Sequence, residues 1–297
     1  MAQACSIVIP TVNRQDIVRG LVQSLKNQSY KGTEIIIVDQ TTFPDASLAQ
    51  DTDIVYIHQD VPSTTLARNA GVESAKGSII LFLDDDVEVP NTYLVQSLMD
   101  FFSKKSDYAG AALTIEDKNK ELNKENQHMS TKVMAITWSG RVLPYAHGVE
   151  QDVKAPRGGG VAYRKEVIIS LGGFDSRYVG NAMREETDFS LRVVQNRGPI
   201  RYLPKLQIIH LAFQRGGSRS ADRISWYRDF FANELLFQLT HFSRLALPLF
   251  FVRKLRPILA CMLWYGKGKS VGFTTPFKGF YDGIRRYKEG FHPYHFS

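Results

Sequence analysis

Three consecutive aspartates, Asp84, Asp85 and Asp86, directly follow an apolar run that ends at Leu83. In an extended chain alternate side chains share a face, so Asp84 and Asp86 are expected to point the same way. Carboxylates that lie so close repel each other unless a cation relieves the repulsion. Mg²⁺ and Mn²⁺ prefer oxygen ligands and often share their coordination shell with substrate phosphates. The triplet therefore predicts a site for a divalent metal and a diphosphate, with solvated loop acids as the alternative.

Two more polar residues occupy positions that suit a nucleotide. Asp39 ends another apolar run, where its carboxylate could accept hydrogen bonds from a base or ribose; the alternative is a turn residue. Arg68 lies near the start of a predicted helix and offers the bidentate donors that bind phosphate; the alternative is a surface arginine. Neither GxxxxGK(S/T) nor GxGxxG after the first strand occurs, which argues against an ATPase or a dinucleotide enzyme.

The elements that must position these residues alternate along the first part of the chain. Residues 6–10 and 34–39 are runs of β-branched residues bounded by polar turns, typical of strands in a sheet covered on both faces. Residues 53–58 and 78–83 predict two further strands, with helical spacing of apolar residues between the runs. This alternation predicts a parallel sheet with right-handed crossovers, whose ligands bind beyond the carboxyl ends of the strands.

The second half of the chain is less regular. Residues 114–130 are strongly polar and predict a surface loop or an exposed helix. Residues 157–175 predict a glycine turn, a strand and a helix. Residues 184–198 predict a helix that ends at its final glycine, and residues 200–211 predict a late strand.

The order of eight short motifs resembles that of family 2 glycosyltransferases. The motifs, which lie within residues 5–212, are SIVIPTVNR, IIIVDQ, LARNAG, FLDDD, GGGVAYRKEV, GGFD, EETDFSLR and IIHL. The resemblance implies the GT-A fold, a Rossmann-like α/β fold with a mostly parallel sheet flanked by helices. It implies a glycosyltransferase domain over residues 1–215, with a nucleotide-sugar-binding half (1–110) and an acceptor half (111–215). Residues 216–297 are then a C-terminal helical extension.

The same resemblance implies roles for residues at the strand ends. Asp84 would contact the ribose and Asp86 the metal. His210, on the late strand, would complete the metal site, whereas the sequence alone indicates a satisfied polar residue at a strand end. The other residues implied to bind the donor are Thr11, Arg14, Asp39, Gln40, Arg68 and Asp85.

In the resembled family the general base usually belongs to an acidic pair at a helix start. Here the pair is Glu185 and Glu186, although the family more often has Asp at the second position. Glu186 is the predicted base, Glu185 is the alternative, and a capping role for both stays open. The base would deprotonate an acceptor hydroxyl while the sugar carbon is attacked opposite the diphosphate, which inverts the anomeric centre. Asp188 and Arg192, four residues apart, predict a structural ion pair.

Two other features have competing interpretations. Gly158, Gly159 and Gly160 are expected to let the backbone approach the donor sugar closely, with a plain tight turn as the alternative. Trp138 is expected to pack in the core, with stacking on an acceptor sugar as the alternative.

The basic excess of the chain lies in its C-terminal part. The net charge is +7, and the residues from Arg244 onward include ten Lys or Arg, two acids and twelve aromatic residues. Residues 225–247 predict an amphipathic helix that Pro248 ends. The two apolar runs that follow are each shorter than the roughly 20 residues of a spanning helix.

This basic, aromatic tail has three interpretations. It could lie on an anionic membrane surface, bind single-stranded nucleic acid, or form a soluble helical subdomain against the catalytic half. The membrane surface is the prediction, because an amphipathic helix and short apolar runs fit an interface better than a groove. No nucleic acid is expected as a partner.

The cysteines and the N-terminus indicate a compartment. Cys5 and Cys261 have no framework spacing, which favours a reducing setting. The first residues lack a basic leader followed by a long apolar segment, so export is not expected. The predicted location is cytoplasmic, peripheral on the inner face of the cell membrane.

Two functions from different classes follow. The first is a metal-dependent inverting glycosyltransferase that uses Mg²⁺ or Mn²⁺ and a UDP or dTDP sugar. Its acceptor would be a glycan or lipid-linked molecule in cell-surface polysaccharide synthesis. The second is a membrane-peripheral binding or scaffold protein with an inactive GT-A fold. Intact acids at Asp84, Asp86 and Glu186 favour the enzyme.

Overall fold

A computed structural model of the 297-residue chain describes residues 4–118, 134–143, 149–213, 217, 222–265 and 271–296. Within these ranges, nine strands form one sheet. The strands are β1 (Cys5–Thr11), β2 (Thr33–Asp39), β3 (Ile54–His58), β4 (Ile79–Leu83), β5 (Val87–Glu88), β6 (Gly110–Asp117), β7 (Gln151–Val153), β8 (Gly160–Arg164) and β9 (Ile200–His210).

The helices flank this sheet and continue beyond it. They are α1 (Gln15–Lys26), α2 (Ala46–Ala49), α3 (Thr64–Ser74), α4 (Leu94–Lys104), α5 (Lys165–Ser170), α6 (Glu185–Asn196), α7 (Arg223–His241), α8 (Leu247–Tyr265) and α9 (Val271–Glu289). A 3-10 turn, Arg244–Ala246, lies between α7 and α8. The mixed α/β class, a sheet flanked by helices, is confirmed.

The first half of the sheet is parallel, in the order β3-β2-β1-β4. Thr11, the last residue of β1, pairs with Asp39, the last residue of β2. The pattern of β-branched residues produces this arrangement because both faces are covered: Ile7 packs in one apolar cluster and Val8 in the other. The carboxyl ends of these strands therefore meet at one edge, as the sequence predicts.

The second half of the sheet is mixed. Strand β8 is antiparallel to β4 and β6, and β6 and β9 run parallel to each other. The prediction of a loop or exposed helix from residue 114 is wrong for Thr114–Asp117, which belong to β6 and pair with Gln207–His210. Polar side chains at a strand end conceal this strand from periodicity. The remainder of that segment, residues 119–130, lies outside the described residues.

The helix predicted over residues 225–247 ends earlier than expected. Helix α7 stops at His241, and Pro248 is the second residue of α8, not a terminator of α7. Proline is tolerated in a first helical turn because its missing N–H has no intrahelical partner there. The two apolar runs predicted separately lie together in α8, which contains Pro257.

Helix α7 packs against the catalytic half of the chain. Its Asn233 side chain is buried and donates to the backbone oxygen of Val179 at 3.0 Å. His241 Nε2 lies 2.7 Å from a carboxylate oxygen of Asp188 in α6. The alternative of a helical subdomain docked on the catalytic half is therefore what the structure shows for α7. The predicted domain boundary at residue 215 lies outside the described residues and stays a prediction.

Helices α8 and α9 pack on each other and on α7, with the rings of Phe251 and Phe280 5.3 Å apart. Each helix also exposes apolar side chains at every third or fourth position. The exposed residues are Val252, Leu255, Leu259 and Leu263 on α8, and Phe273, Phe277, Tyr281 and Ile284 on α9. In the part of the chain that the structure describes, no helix is both long and apolar enough to span a bilayer.

Candidate donor and catalytic site

A cavity of about 460 Å³ opens at the carboxyl ends of β1, β2 and β4. This is the edge where parallel sheets bind ligands. Most of the residues that the sequence assigned to donor binding line it. The lining residues are Pro10, Thr11, Val12, Arg14, Gln40, Pro62, Ser63, Thr64, Arg68, Asp84, Asp85, Asp86, Gly180, His210 and Gly217.

The aspartate triplet lies in the turn between β4 and β5, not in an extended strand. The extended backbone expected at the triplet is therefore wrong, although Asp84 and Asp86 both line the cavity. Asp85 and Asp86 are buried on the same guanidinium, with Arg14 Nη1 2.8 Å from Asp85 and 3.0 Å from Asp86. Asp84 stays 46% exposed at its side chain and faces the cavity. Arg14, 71 residues before Asp85 in the chain, thus relieves much of the repulsion between the carboxylates that was the reason to predict a metal.

Asp85 is tied into the protein by two partners. Its second oxygen accepts a hydrogen bond from Thr11 Oγ1 at 2.8 Å. Burial raises the pKa of the Asp85 carboxyl to about 6, and the charge and hydrogen bond of Arg14 oppose that rise. Thr11 and Asp85 therefore shape the floor of the cavity.

Asp86 and His210 form the candidate metal pair. His210 Nε2 lies 3.4 Å from Asp86 Oδ1, and His210 Nδ1 lies 2.6 Å from Asp117 Oδ1. Burial lowers the pKa of His210, but its hydrogen bonds to Asp86 and Asp117 outweigh burial and raise it. A carboxylate on the far nitrogen is the usual way to orient a metal-binding histidine.

The residues present fit a hard divalent ion. Among the described residues no three His, Cys, Asp or Glu side chains converge on one point. Mg²⁺ and Mn²⁺ do not require such a cage, because they bind through one or two protein ligands and complete the shell with water and phosphates. Asp86 and His210 supply a carboxylate oxygen and an imidazole nitrogen beside an open cavity.

Gln40 and Asp39 differ in access to the cavity. Gln40 lines it and donates from Nε2 to the backbone oxygen of Ser63 at 2.9 Å. Asp39 is fully buried, and its oxygens accept hydrogen bonds from Tyr56 Oη at 2.6 Å and from the Thr41 amide at 2.9 Å. The structure brings Gln40 to the cavity and keeps Asp39 behind it, so a contact between Asp39 and the nucleoside stays a prediction.

Arg68 connects the triplet with the acidic pair of α6. It is buried near the rings of Phe82 and Phe174, forms a close ion pair with Glu185, and lies 3.9 Å from Asp84. The surface-arginine alternative is wrong. Buried arginine needs a carboxylate partner, because an unpaired charge away from water is costly.

The two glutamates of the pair have different surroundings. Glu185 is buried and paired with Arg68, while its Oε2 makes no hydrogen bond to a described residue. Glu186 is half-buried, and within the described ranges its carboxylate receives a hydrogen bond only from its own amide. Burial raises the pKa of both carboxyls, and Arg68 opposes the rise. Glu186 is thus the member that is available to take a proton.

The predicted ion pair in α6 is present, with Arg192 Nε 3.0 Å from Asp188 Oδ2. Burial raises the pKa of Asp188, but Arg192 and His241 outweigh it and hold the pKa below its usual value. Asp188 therefore stays ionised, and its contact with His241 fixes α6 against α7.

The glycine turn allows a close approach of backbone to side chains of the site. A Cβ at Gly158 would lie 2.6 Å from Arg68 Nη2, and a Cβ at Gly159 would lie 2.2 Å from Asp84 Oδ2. The backbone approach is thus observed toward protein groups, and an approach to donor sugar stays a prediction. Trp138 is 77% exposed, so its predicted packing in the core is wrong.

Sequence reasoning missed Asp117, which orients His210. It falls in the segment predicted to be a loop, yet it pairs in register with His210 at the ends of β6 and β9. Burial raises the pKa of Asp117, and His210 with Arg157 outweighs that effect and lowers it. The apolar run that begins at Gly110 was the signal for this strand.

The mixed α/β sheet places acids and arginines around one cavity at the edge where sheets of this class bind ligands. The model of the family described as "Glycosyl transferase family 2" matches residues 6–171, more than half of the chain. The chain therefore belongs to that family.

Individual relatives match over shorter segments. The Campylobacter jejuni protein named "GalNAc(5)-diNAcBac-PP-undecaprenol beta-1,3-glucosyltransferase" is 32% identical over 92 residues, 28% of this chain and 30% of that protein. The chain thus spans less than a third of the length of this curated relative.

Solved structures match over nearly the whole chain. The structure of S. aureus TarS 1-349 in complex with UDP-GlcNAc has a TM-score of 0.65 and 15% identity, and covers 95% of this chain and 81% of that one. The mannosyltransferase PcManGT from Pyrobaculum calidifontis, in complex with GDP-Man and Mn²⁺, has a TM-score of 0.56 and 12% identity, with 97% and 88% covered. At these identities the likeness shows the fold, and the predicted GT-A fold is confirmed.

Proposed function

We propose that this protein is a metal-dependent, inverting glycosyltransferase that uses a UDP or dTDP sugar. The acceptor is a glycan or a lipid-linked molecule in cell-surface polysaccharide synthesis. The observation that carries the proposal is a pair of carboxylate sites of different kinds: Asp86 beside His210 in the cavity, and an available Glu186 beside Glu185, which pairs with the cavity-lining Arg68. Family membership and the nucleotide sugars in the names of the TarS and PcManGT complexes, UDP-GlcNAc and GDP-Man, support a nucleotide-sugar donor.

The cavity residues divide the donor between them. Gln40 and Thr11 flank the space for the nucleoside, and Asp84, exposed in the cavity, is assigned to the ribose. Asp86 and His210 would hold Mg²⁺ or Mn²⁺, which when bound supplies positive charge for the diphosphate. Arg68 lines the same cavity and adds a fixed positive charge to the leaving diphosphate side.

Glu186 acts as the general base in this mechanism. Its ionised carboxylate takes the proton of an acceptor hydroxyl as that oxygen attacks the anomeric carbon, and the bond from carbon to the diphosphate oxygen breaks on the opposite face. One displacement inverts the anomeric centre. The ion pair with Arg68 withholds Glu185 from this role.

The tail is assigned to an anionic membrane surface on the cytoplasmic side. The apolar faces of α8 and α9 are exposed, and exposed cations lie on the same two helices: Arg256, Lys278, Arg285 and Lys288. Apolar insertion together with attraction to anionic headgroups is the mode of peripheral membrane helices. The lipid-linked substrate in the name of the Campylobacter jejuni relative supports a membrane location for the acceptor.

Turnover of a donor panel tests the enzymatic proposal. UDP-glucose, UDP-N-acetylglucosamine, UDP-galactofuranose and dTDP-rhamnose are each incubated with the full chain, with Mn²⁺ or with EDTA. At least one donor is expected to be hydrolysed or transferred with Mn²⁺ and not with EDTA, and the product anomer is read by NMR. Retention of configuration, or turnover that ignores EDTA, contradicts the mechanism.

Vesicle flotation tests the tail separately. Phe277→Ser and Leu259→Ser are expected to float less with phosphatidylglycerol vesicles than the unmodified chain. Phe43→Ser, which changes an apolar side chain that is 80% exposed outside the tail, is the matched control and should float normally. Equal flotation of all variants overturns the membrane assignment. A chain that floats but turns over no donor supports the scaffold alternative.

A further inference from the structure

One buried carboxylate has no role in the mechanism above. Glu234 lies in the middle of α7 and is buried, yet it is ionised: burial raises the pKa of its carboxyl, and Arg184 with Lys254 outweighs that effect and lowers it. Glu234 Oε1 lies 3.0 Å from Arg184, and Oε2 lies 2.7 Å from Lys254. Three segments of the chain therefore meet at one carboxylate.

Arg184 directly precedes the acidic pair and has an unusual backbone. Its φ is +78°, in the left-handed region that residues with a Cβ rarely adopt. It precedes the first residue of α6, and its side chain gives that helix no capping hydrogen bond. Such a conformation persists where surrounding contacts hold it. Among the contacts of Arg184 with described residues are the ion pair with Glu234 and the ring of Phe237, 5.8 Å from the guanidinium carbon.

The backbone at Arg184 sets the direction in which the first turn of α6 leaves. Glu185 and Glu186 are the first two residues of that helix, so a rotation at Arg184 displaces both carboxylates. Arg184 also opposes the rise in the pKa of Glu186 by its charge. Position and charge at the acidic pair therefore depend on where the side chain of Arg184 is fixed.

We propose that Glu234 is a positioning residue for the acidic pair: through Arg184, it holds the first turn of α6 so that Glu186 faces the acceptor. The inference rests on the proposed function of Glu186 as general base. Helix α7 of the C-terminal extension then has a role in the chemistry that is separate from membrane binding. Lys254, on α8, is the second cation that pairs with the buried Glu234 carboxylate.

The test compares Glu234→Gln with Asp282→Asn in the full chain. Asp282 is an equally buried carboxylate on α9, and its ion-pair partners among the described residues are Arg228 of α7, at 2.5 Å, and Arg285 of α9, neither of which belongs to α6. Both variants are expected to lower Tm. Only Glu234→Gln is expected to lower kcat, by about tenfold to a hundredfold, measured with the donor of the panel that is turned over. Its KM for the donor and its Mn²⁺-dependent affinity for UDP should stay within about twofold, because the described partners of Glu234, Arg184 and Lys254, do not line the donor cavity.

A reduced kcat in both variants, or in neither, overturns the inference. If Glu234→Gln does not fold, Arg184→Gly and Arg184→Ala test the backbone step of the inference, that a positive φ at residue 184 sets the direction of α6, since glycine adopts positive φ freely and alanine does not. The inference expects a higher kcat for the glycine variant, and equal values contradict it. Glu186→Gln in the same assay separates the two proposals. Full activity of Glu186→Gln overturns the proposed base. If Glu186→Gln is inactive and Glu234→Gln keeps its kcat, only the positioning role of Glu234 is overturned.

Discussion

Arg14 and Arg68 both line the cavity and both pair with carboxylates, but they leave different acids available. Arg14 lies on Asp85 and Asp86, the second and third members of the triplet. Arg68 pairs with Glu185, the first member of the α6 pair, and leaves the Glu186 carboxylate without a hydrogen bond from the side chain or backbone of another described residue. The availability of a carboxylate is therefore set by the arginine beside it, and not by its place in the motif.

The two regions also differ in how their charge is balanced. At the triplet one guanidinium contacts two carboxylates, and Asp86 still directs Oδ1 toward His210. At the start of α6, one buried guanidinium serves one buried carboxylate. The arrangement at the triplet suits the binding of a cation together with a diphosphate. The arrangement at the start of α6 suits a general base, which must be able to gain and lose a proton.

Glu186→Gln is expected to have the largest effect. Loss of a general base lowers kcat by about 10²–10⁴-fold, with little change in UDP affinity, because Glu186 lies outside the residues that line the donor cavity. Steady-state kinetics and calorimetric UDP binding measure the two. A variant with normal kcat would show that the available acid is not the base.

Asp86→Asn comes next, with an expected loss of about a hundredfold in kcat/KM at fixed Mn²⁺. Asp85→Asn is the matched control, because it loses the same arginine but has no contact with His210. The comparison is read as the Mn²⁺ concentration for half-maximal activity, which should rise for Asp86→Asn alone. An equal rise in both variants contradicts the assignment of Asp86 to the metal.

Glu185→Gln is expected to act on stability more than on chemistry. Removing one partner of a buried ion pair costs about 3 kcal/mol of unfolding free energy, since Arg68 is left without its counter-charge. Urea unfolding measures the change. Glu150→Gln, which breaks an exposed pair with Arg201, should cost less than about 0.5 kcal/mol. A small loss of unfolding free energy in both variants would show that the ion pair of Glu185 does not stabilise the fold.

The pH dependence gives the smallest expected effect. Burial raises the pKa of Glu186 above the ordinary glutamate value of 4.5. A base must be deprotonated, so kcat should fall as pH decreases through this raised pKa and reach its plateau above it. A profile of log kcat against pH measures the midpoint of the acid limb. A midpoint at or below 4.5 contradicts the buried environment of the base.

The sequence predicted much of the fold because the determining patterns are local. Runs of β-branched residues predicted β1 to β4, and helical spacing predicted α1, α3 and α6, each within a few residues of its observed bounds. Residues at the ends of parallel strands share an edge, so the position of Asp84 and Asp86 after β4 predicted that they lie at the ligand-binding edge. The resemblance to family 2 glycosyltransferases, and not strand order, implied Thr11 and Gln40, which also line the cavity.

What pairs with what was decided by the tertiary structure. Arg14 reaches the triplet across 71 residues, and Asp117 reaches His210 across 93, and no local pattern encodes such contacts. Helix α7 shows the same limit: periodicity predicted a polar face that includes Asn233, whereas the structure buries Asn233 against the catalytic half. The sequence by itself determined the elements and the acids at their ends. Only the folded chain determined which carboxylate remains available to accept a proton, because desolvation and the nearest opposite charge are properties of the packed interior.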